Sequence, residues 1–132
     1  CTYGDGLSNV DVGRSVAFHR ARGKVMTVTG VRPPSRFGEL EVKDGIARSF
    51  REKPANAGGF VSGGFFVIER SFIERLRPGE MFERETMQQL AEEGQLAVYE
   101  HDGYWASMDT YRDLLALNAE WDTGDPGWAR TP

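Results

Sequence analysis

Four short stretches of this sequence hold residue types that neither simple packing nor simple solvation requires. In Tyr3-Gly4-Asp5-Gly6 an acid sits between glycines. Placed at the carboxyl end of a strand, where open α/β sheets hold their ligands, such a carboxylate can hold Mg2+. Gly-Asp-Gly is also ordinary turn chemistry, and Asp5 could do no more than shape the bend. In Phe50-Arg51-Glu52-Lys53-Pro54 an acid and a base end a strand with their side chains on opposite faces, and the proline fixes the exit. A Lys there is a point-charge partner for phosphate, and a carboxylate beside it can accept hydrogen bonds from sugar hydroxyls. The plain alternative is a charged strand end in water.

Ser62-Gly63-Gly64 interrupts an otherwise apolar run. Paired glycines weaken a strand unless a ligand or another piece of backbone must come close, so either a bound molecule or a β-bulge explains them. In Trp105-Ala106-Ser107-Met108-Asp109-Thr110 an acid lies just before a helix start. It is either a cap or a metal ligand. His19 and His101 have no acid or nucleophile at suggestive spacing and read as structural or solvated, and Arg20, Arg22 and Lys24 read as a wet basic face.

The elements that must position these residues follow from periodicity and punctuation. The spacing predicts a helix over 10–22, capped by Asn9 or Asp11, carrying Val12, Val16, Ala17 and Phe18 and stopped by Gly23. A Val- and Thr-rich strand over 24–31 ends before Pro33-Pro34, and Asp44-Gly45 between alternating apolar residues signals a hairpin continuing over 46–50. The apolar run 60–68 reads as a strand covered on both faces, central in a sheet. Helical stretches over 71–76 and 82–93 follow, then a strand over 95–101, an extended piece over 104–108, and a helix over 110–121 capped by Thr110. Its apolar face is Tyr111, Leu114, Leu115 and Trp121, and the chain beyond Gly124 reads as loose. Strands interleaved with helices, together with a hairpin, predict an α/β fold with a mixed β-sheet flanked by helices.

Composition narrows the partners. The 132 residues fit one domain, and 39% hydrophobic residues with 8 Phe, 4 Tyr and 3 Trp are enough for a core. Sixteen Lys and Arg against 20 Asp and Glu leave a net charge of −4, which disfavours a nucleic-acid partner. One cysteine, Cys1, closes no intramolecular disulfide, and two histidines make no zinc cluster. No window of about 18 apolar residues predicts a membrane span, so no membrane partner is expected and a reducing cytoplasm fits best. The start at Cys1, without Met and resembling the tail of a strand, suggests a piece of a longer protein.

Taken in order, Thr2-Tyr3-Gly4-Asp5-Gly6, Pro33-Pro34-Ser35-Arg36-Phe37-Gly38, Phe50-Arg51-Glu52-Lys53-Pro54, Gly63-Gly64-Phe65-Phe66-Val67 and Trp105 with Met108-Asp109-Thr110 resemble the carboxyl-terminal half of the sugar-phosphate nucleotidylyltransferases. The wording around Pro33-Pro34 and Met108-Asp109-Thr110 is most similar to the branch that uses CTP and glucose-1-phosphate. The resemblance covers nearly the whole chain and implies a Rossmann-like nucleotide-diphospho-sugar transferase fold. Residues 1–124 would be the sugar-phosphate and metal-binding half of that domain, and residues 125–132 a flexible tail. It implies attack of a sugar-1-phosphate on a nucleoside triphosphate, with Asp5 and Asp109 as Mg2+ ligands and Lys53 as the cation on the sugar phosphate. Gly38, Glu52 and Gly64 would then fix sugar hydroxyls, and Trp105 would wall the site. Ser62 stands where family members carry Asn before the paired glycines. Against the family the amino-terminal half with its Gly-rich phosphate loop is missing, so the chain alone is expected to be inactive, and it is expected to pair with that half or to self-associate as a homo-oligomer through exposed sheet edges and apolar faces. Another base (UTP or dTTP), or a non-catalytic sugar-phosphate binding module, is the alternative reading.

Overall fold

The computed structural model describes residues 1–33, 39–51, 59–79 and 81–130. In chain order these form β1 (Gly6–Ser8), α1 (Val12–Arg22), β2 (Met26–Val31), β3 (Glu39–Lys43), β4 (Ile46–Arg51), β5 (Val61–Ile68), a short helix of the tighter 3-10 type (Arg70–Arg75), α2 (Glu85–Glu92), β6 (Leu96–His101), β7 (Trp105–Ser107), α3 (Tyr111–Asp122) and a last tight turn (Gly127–Ala129). The sheet at the centre has the order β5-β2-β6. It is mixed, as expected: β2 runs antiparallel to β5 and parallel to β6.

β2, not β5, is the middle strand, and all six of its residues are buried. The run 60–68, expected to be central, does have a neighbour on each side. Cys1–Tyr3 lies along its outer edge, with Tyr3 N–H donating to the Gly64 carbonyl at 3.0 Å, Phe66 N–H to the Cys1 carbonyl at 2.8 Å, and Thr2 bridging Phe65. Full burial does not follow, because Val61 remains 44% exposed. The core gathers Met26, Val28, Phe66, Phe72 and Leu90, with Tyr3, Phe82 and Met87 packed against it. Phe66 meets Tyr3 and Phe82 edge to face at ring separations of 5.3 and 5.6 Å, the arrangement that ring quadrupoles favour.

Caps and turns form where the residue types dictate. Asp11 caps α1 by accepting the Arg14 N–H at 2.8 Å, and Gly23 closes the helix in the left-handed region at φ 59°. Asp44 and Gly45, at φ 53° and 76°, supply the two left-handed positions that a tight hairpin needs between β3 and β4. The predicted helix at 71–76 is only the short 3-10 helix, because Pro78-Gly79 turns the chain immediately afterwards.

Three expectations about burial are corrected. α1 turns Ser15 and His19 inward, whereas Val12 is 64% exposed. The imidazole is accommodated because both nitrogens have partners, Nδ1 with the Thr27 hydroxyl at 2.8 Å and Nε2 with a Glu69 carboxylate oxygen at 3.0 Å. Second, α3 buries Leu117 but leaves Tyr111, Leu115 and Trp121 largely in solvent. Third, the tail predicted to be loose after Gly124 is docked as far as residue 130. Pro126 and Gly127 are buried, Gly127 N–H donates to Glu120 at 2.7 Å, and Trp128 stacks on Trp121. No helix among the described residues is long and apolar enough to cross a membrane.

Candidate active site

β1 and β7 form a separate antiparallel ribbon in which Gly6 pairs with Ser107 and Ser8 with Trp105. The ribbon is extended by one further bond, from Met108 N–H to the Asp5 carbonyl at 2.8 Å. Two residues 104 positions apart in sequence are thereby held side by side. Asp5 stands just before one strand and Asp109 just after its partner. Both line a cleft of about 290 Å³, together with Tyr3, Gly6, Ser62, Gly63, Gly64, Trp105 and Ser107. Of the residues singled out from sequence, the structure therefore brings together Asp5, Gly64, Trp105 and Asp109. Gly38, Glu52 and Lys53 lie outside the described residues.

The two readings of Asp109 are separated by the geometry. Thr110 caps α3, its hydroxyl accepting the Asp113 N–H at 3.2 Å, and the Asp113 carboxylate accepts the Thr110 N–H at 2.9 Å to close the capping box. With the cap supplied by that pair, the Asp109 side chain is not the helix cap. Its Oδ2 accepts the Ser107 hydroxyl at 2.8 Å, and its own backbone N–H donates to Asp113 at 3.2 Å. Asp113 and Ser107 went unmarked in the sequence, although a Thr followed three residues later by an acid is the signature of a capping box.

The paired glycines make room for close contacts within the protein itself. Gly64 has φ 78°, and a Cβ there would come within 2.8 Å of the Tyr3 ring. A Cβ on Gly63 would meet Val31 at 3.0 Å and the Thr29 carbonyl at 3.1 Å. Between Val28 and Gly30 the register of β2 on β5 shifts from Phe66 to Ser62, so the glycines form a bulge. The Gly63 carbonyl accepts the Trp105 indole N–H at 2.8 Å, the Gly64 carbonyl takes Tyr3 N–H, and Gly64 N–H reaches the Ser62 hydroxyl at 3.4 Å. The bulge reading thus accounts for both residues, and a sugar hydroxyl at Gly64 would share groups that already have partners.

Tyr3 ties the glycine bulge to the turn that precedes α2. Its hydroxyl donates to Glu83 at 2.7 Å. Burial pushes the phenol above the ordinary tyrosine range, and the Glu83 hydrogen bond and the negative charges of Glu83 and Asp5 add to that. Because the folded state holds this proton more tightly, the bond's contribution is complete below pH 10.0, the ordinary tyrosine value, and declines as pH rises beyond it. Tyr3→Phe is expected to lower stability by about 1 kcal/mol near neutral pH. In urea denaturation the gap between wild type and variant should narrow above pH 10; a gap that widens there would contradict the assignment.

The donor set suits a hard, oxygen-seeking cation. Two aspartates line one cleft, and among the described residues there is no cluster of three or more His, Cys, Asp or Glu side chains that would cage a metal. Mg2+ is commonly held in this way, by one or two carboxylates while waters and phosphates fill the remaining positions. A cavity of about 270 Å³ between Cys1, Val10, Val12, Phe65 and Val67 carries no carboxylate and offers nothing comparable.

Residues 2–123 match the family described as nucleotidyl transferase. The chain belongs to that family. Over 128 residues it is 41% identical to a glucose-1-phosphate cytidylyltransferase from Salmonella typhimurium, a match covering 96% of this chain and 50% of that protein. It is 32% identical to a mannose-1-phosphate guanylyltransferase catalytic subunit beta from Xenopus tropicalis, over 76% of this chain and 29% of that one. In fold it resembles HddC from Yersinia pseudotuberculosis, with a TM-score of 0.62, 16% identity, and coverage of 89% of this chain and 52% of the other. This chain therefore spans about half the length of the cytidylyltransferase and less than a third of the guanylyltransferase. The carboxyl-terminal placement expected from the motifs is not supported by these matches, whose coverage gives an extent alone.

Proposed function

We propose that this chain supplies the metal and sugar-phosphate side of an enzyme that makes CDP-glucose and pyrophosphate from CTP and glucose-1-phosphate. The observation that carries the proposal is the convergence of Asp5 and Asp109 on one cleft beside Trp105. The similarity to a glucose-1-phosphate cytidylyltransferase supports CTP and glucose-1-phosphate over other bases and sugars.

In the reaction a phosphate oxygen of the sugar-1-phosphate attacks the α-phosphorus of the triphosphate. A new P–O bond forms, the bond from that phosphorus to the bridging oxygen breaks, and pyrophosphate departs with the electron pair. Two polyanions must meet, so positioning and charge neutralisation make up nearly all of the catalysis. Asp5 and Asp109 would hold Mg2+, which when bound neutralises phosphate charge and orients the attacked group. Lys53 would meet the sugar phosphate as a point charge, and Glu52 and the backbone at Gly38 and Gly64 would receive sugar hydroxyls. The Trp105 ring, pinned by its bond to the Gly63 carbonyl, would exclude water from one wall.

The glycine-rich phosphate loop that such a reaction calls for is not in this sequence, so the chain by itself is expected to be inactive. The exposed side of α3 supports a working state in which that side is covered by a second copy or by the rest of the enzyme. The test is pyrophosphate release by the full-length enzyme with glucose-1-phosphate and CTP, UTP or dTTP in competition. Preferred turnover of CTP, falling at least about 100-fold in Lys53→Ala, is the expected result. Preference for UTP or dTTP would move the assignment to another nucleotidylyltransferase, and no turnover with any of the three would favour a binding module.

A further inference from the structure

We propose that Ser107 is a positioning residue that sets the orientation in which the Asp109 carboxylate meets its cation. The inference rests on the metal reading given above and adds a residue that the motifs do not mark. Ser107 and Trp105 lie two apart on β7, so they share a face. Both line the cleft with Asp109. The Ser107 hydroxyl donates to Asp109 Oδ2 at 2.8 Å. The same residue is locked in register by pairing with Gly6, the neighbour of Asp5, and the next residue, Met108, donates its N–H to the Asp5 carbonyl at 2.8 Å. Asp109 is thus held at its backbone N–H by Asp113 and at its carboxylate by Ser107.

An acid at the start of a helix ordinarily turns about its side-chain bonds. A hydroxyl anchored in a paired strand and bonded to one carboxylate oxygen removes that freedom before any cation arrives. Partners of this kind, bonded to a ligand and not to the metal, typically change metal affinity by about 10- to 100-fold. A bond that served only to stabilise the strand-to-helix turn would affect folding and leave ion affinity alone.

The experiment is a Mn2+ titration of the full-length enzyme without nucleotide, followed through the paramagnetic resonance signal of the free ion. Ser107→Ala is expected to weaken Mn2+ binding by about tenfold. Ser107→Thr, which keeps the hydroxyl, is expected to return the affinity to within about twofold of wild type. Wild-type affinity in Ser107→Ala would overturn the role, as would equal weakening in Ala and Thr variants, because the hydroxyl would then be irrelevant. Asp109→Asn separates the two levels. If it binds Mn2+ as wild type does, the metal reading falls and Ser107 falls with it; if it loses binding while Ser107→Ala does not, only the role of Ser107 is lost.

Discussion

Asp5→Ala and Asp109→Ala are each expected to lower kcat for pyrophosphate release by about a thousandfold in the full-length enzyme, with little change in thermal midpoint. The size follows from losing roughly 4 kcal/mol of charge stabilisation on the phosphates, at about 1.4 kcal/mol for each factor of ten. The near-constancy of the midpoint follows from the division of labour at the start of α3. Thr110 and Asp113 form the capping box, so removing the Asp109 carboxylate leaves the helix start intact. Had Asp109 been the cap, the variant would lose about 1 kcal/mol of stability and little else. Steady-state assays at saturating substrate, together with calorimetry on the same samples, distinguish the outcomes. Turnover retained in either variant would remove that carboxylate from the site.

The second large effect is structural. Gly64→Ala must place a Cβ at φ 78°, in the left-handed region, and 2.8 Å from the Tyr3 ring. The backbone alone costs about 1–2 kcal/mol, and pushing aside a ring that is packed against Phe66 and tied to Glu83 raises the total to about 3 kcal/mol. A fall in thermal midpoint of roughly 10 °C should follow. Tyr3→Ala in the same background gives the Cβ room but leaves the dihedral cost. The double variant should therefore lose less than the sum of the two single losses, by about 1 kcal/mol. A Gly64→Ala protein with an unchanged midpoint would show that the bulge rearranges freely.

How far these features could be read from the sequence depends on the distance over which each is decided. Asp11, Gly23 and the Asp44-Gly45 pair act within one turn of chain, and the helix and hairpin they mark are where the spacing puts them. The face a helix buries is decided by what lies against it. Tyr111, Leu115 and Trp121 have the right period and stay exposed, while Ser15 and His19 lack apolar character and are buried, since Thr27 and Glu69 come from β2 and the end of β5 to satisfy the imidazole. The paired glycines at 63 and 64 signal a close approach in the sequence, but that the Tyr3 ring of the amino-terminal segment is a group a Cβ at Gly64 would meet is decided only by the fold. The aspartates were legible only as two isolated acids with two possible roles each. The ribbon that makes them neighbours rests on pairing between three-residue strands, too short to announce themselves in a pattern.

The bulge at Gly63 and Gly64 has a bearing on how such a cleft could diversify. The glycines contribute peptide groups constrained by the Tyr3 ring and by the Trp105 indole, and they offer no side chain to exchange. Among the lining residues a change of ligand preference therefore falls more readily on a side chain such as Ser62 than on the glycine peptide groups.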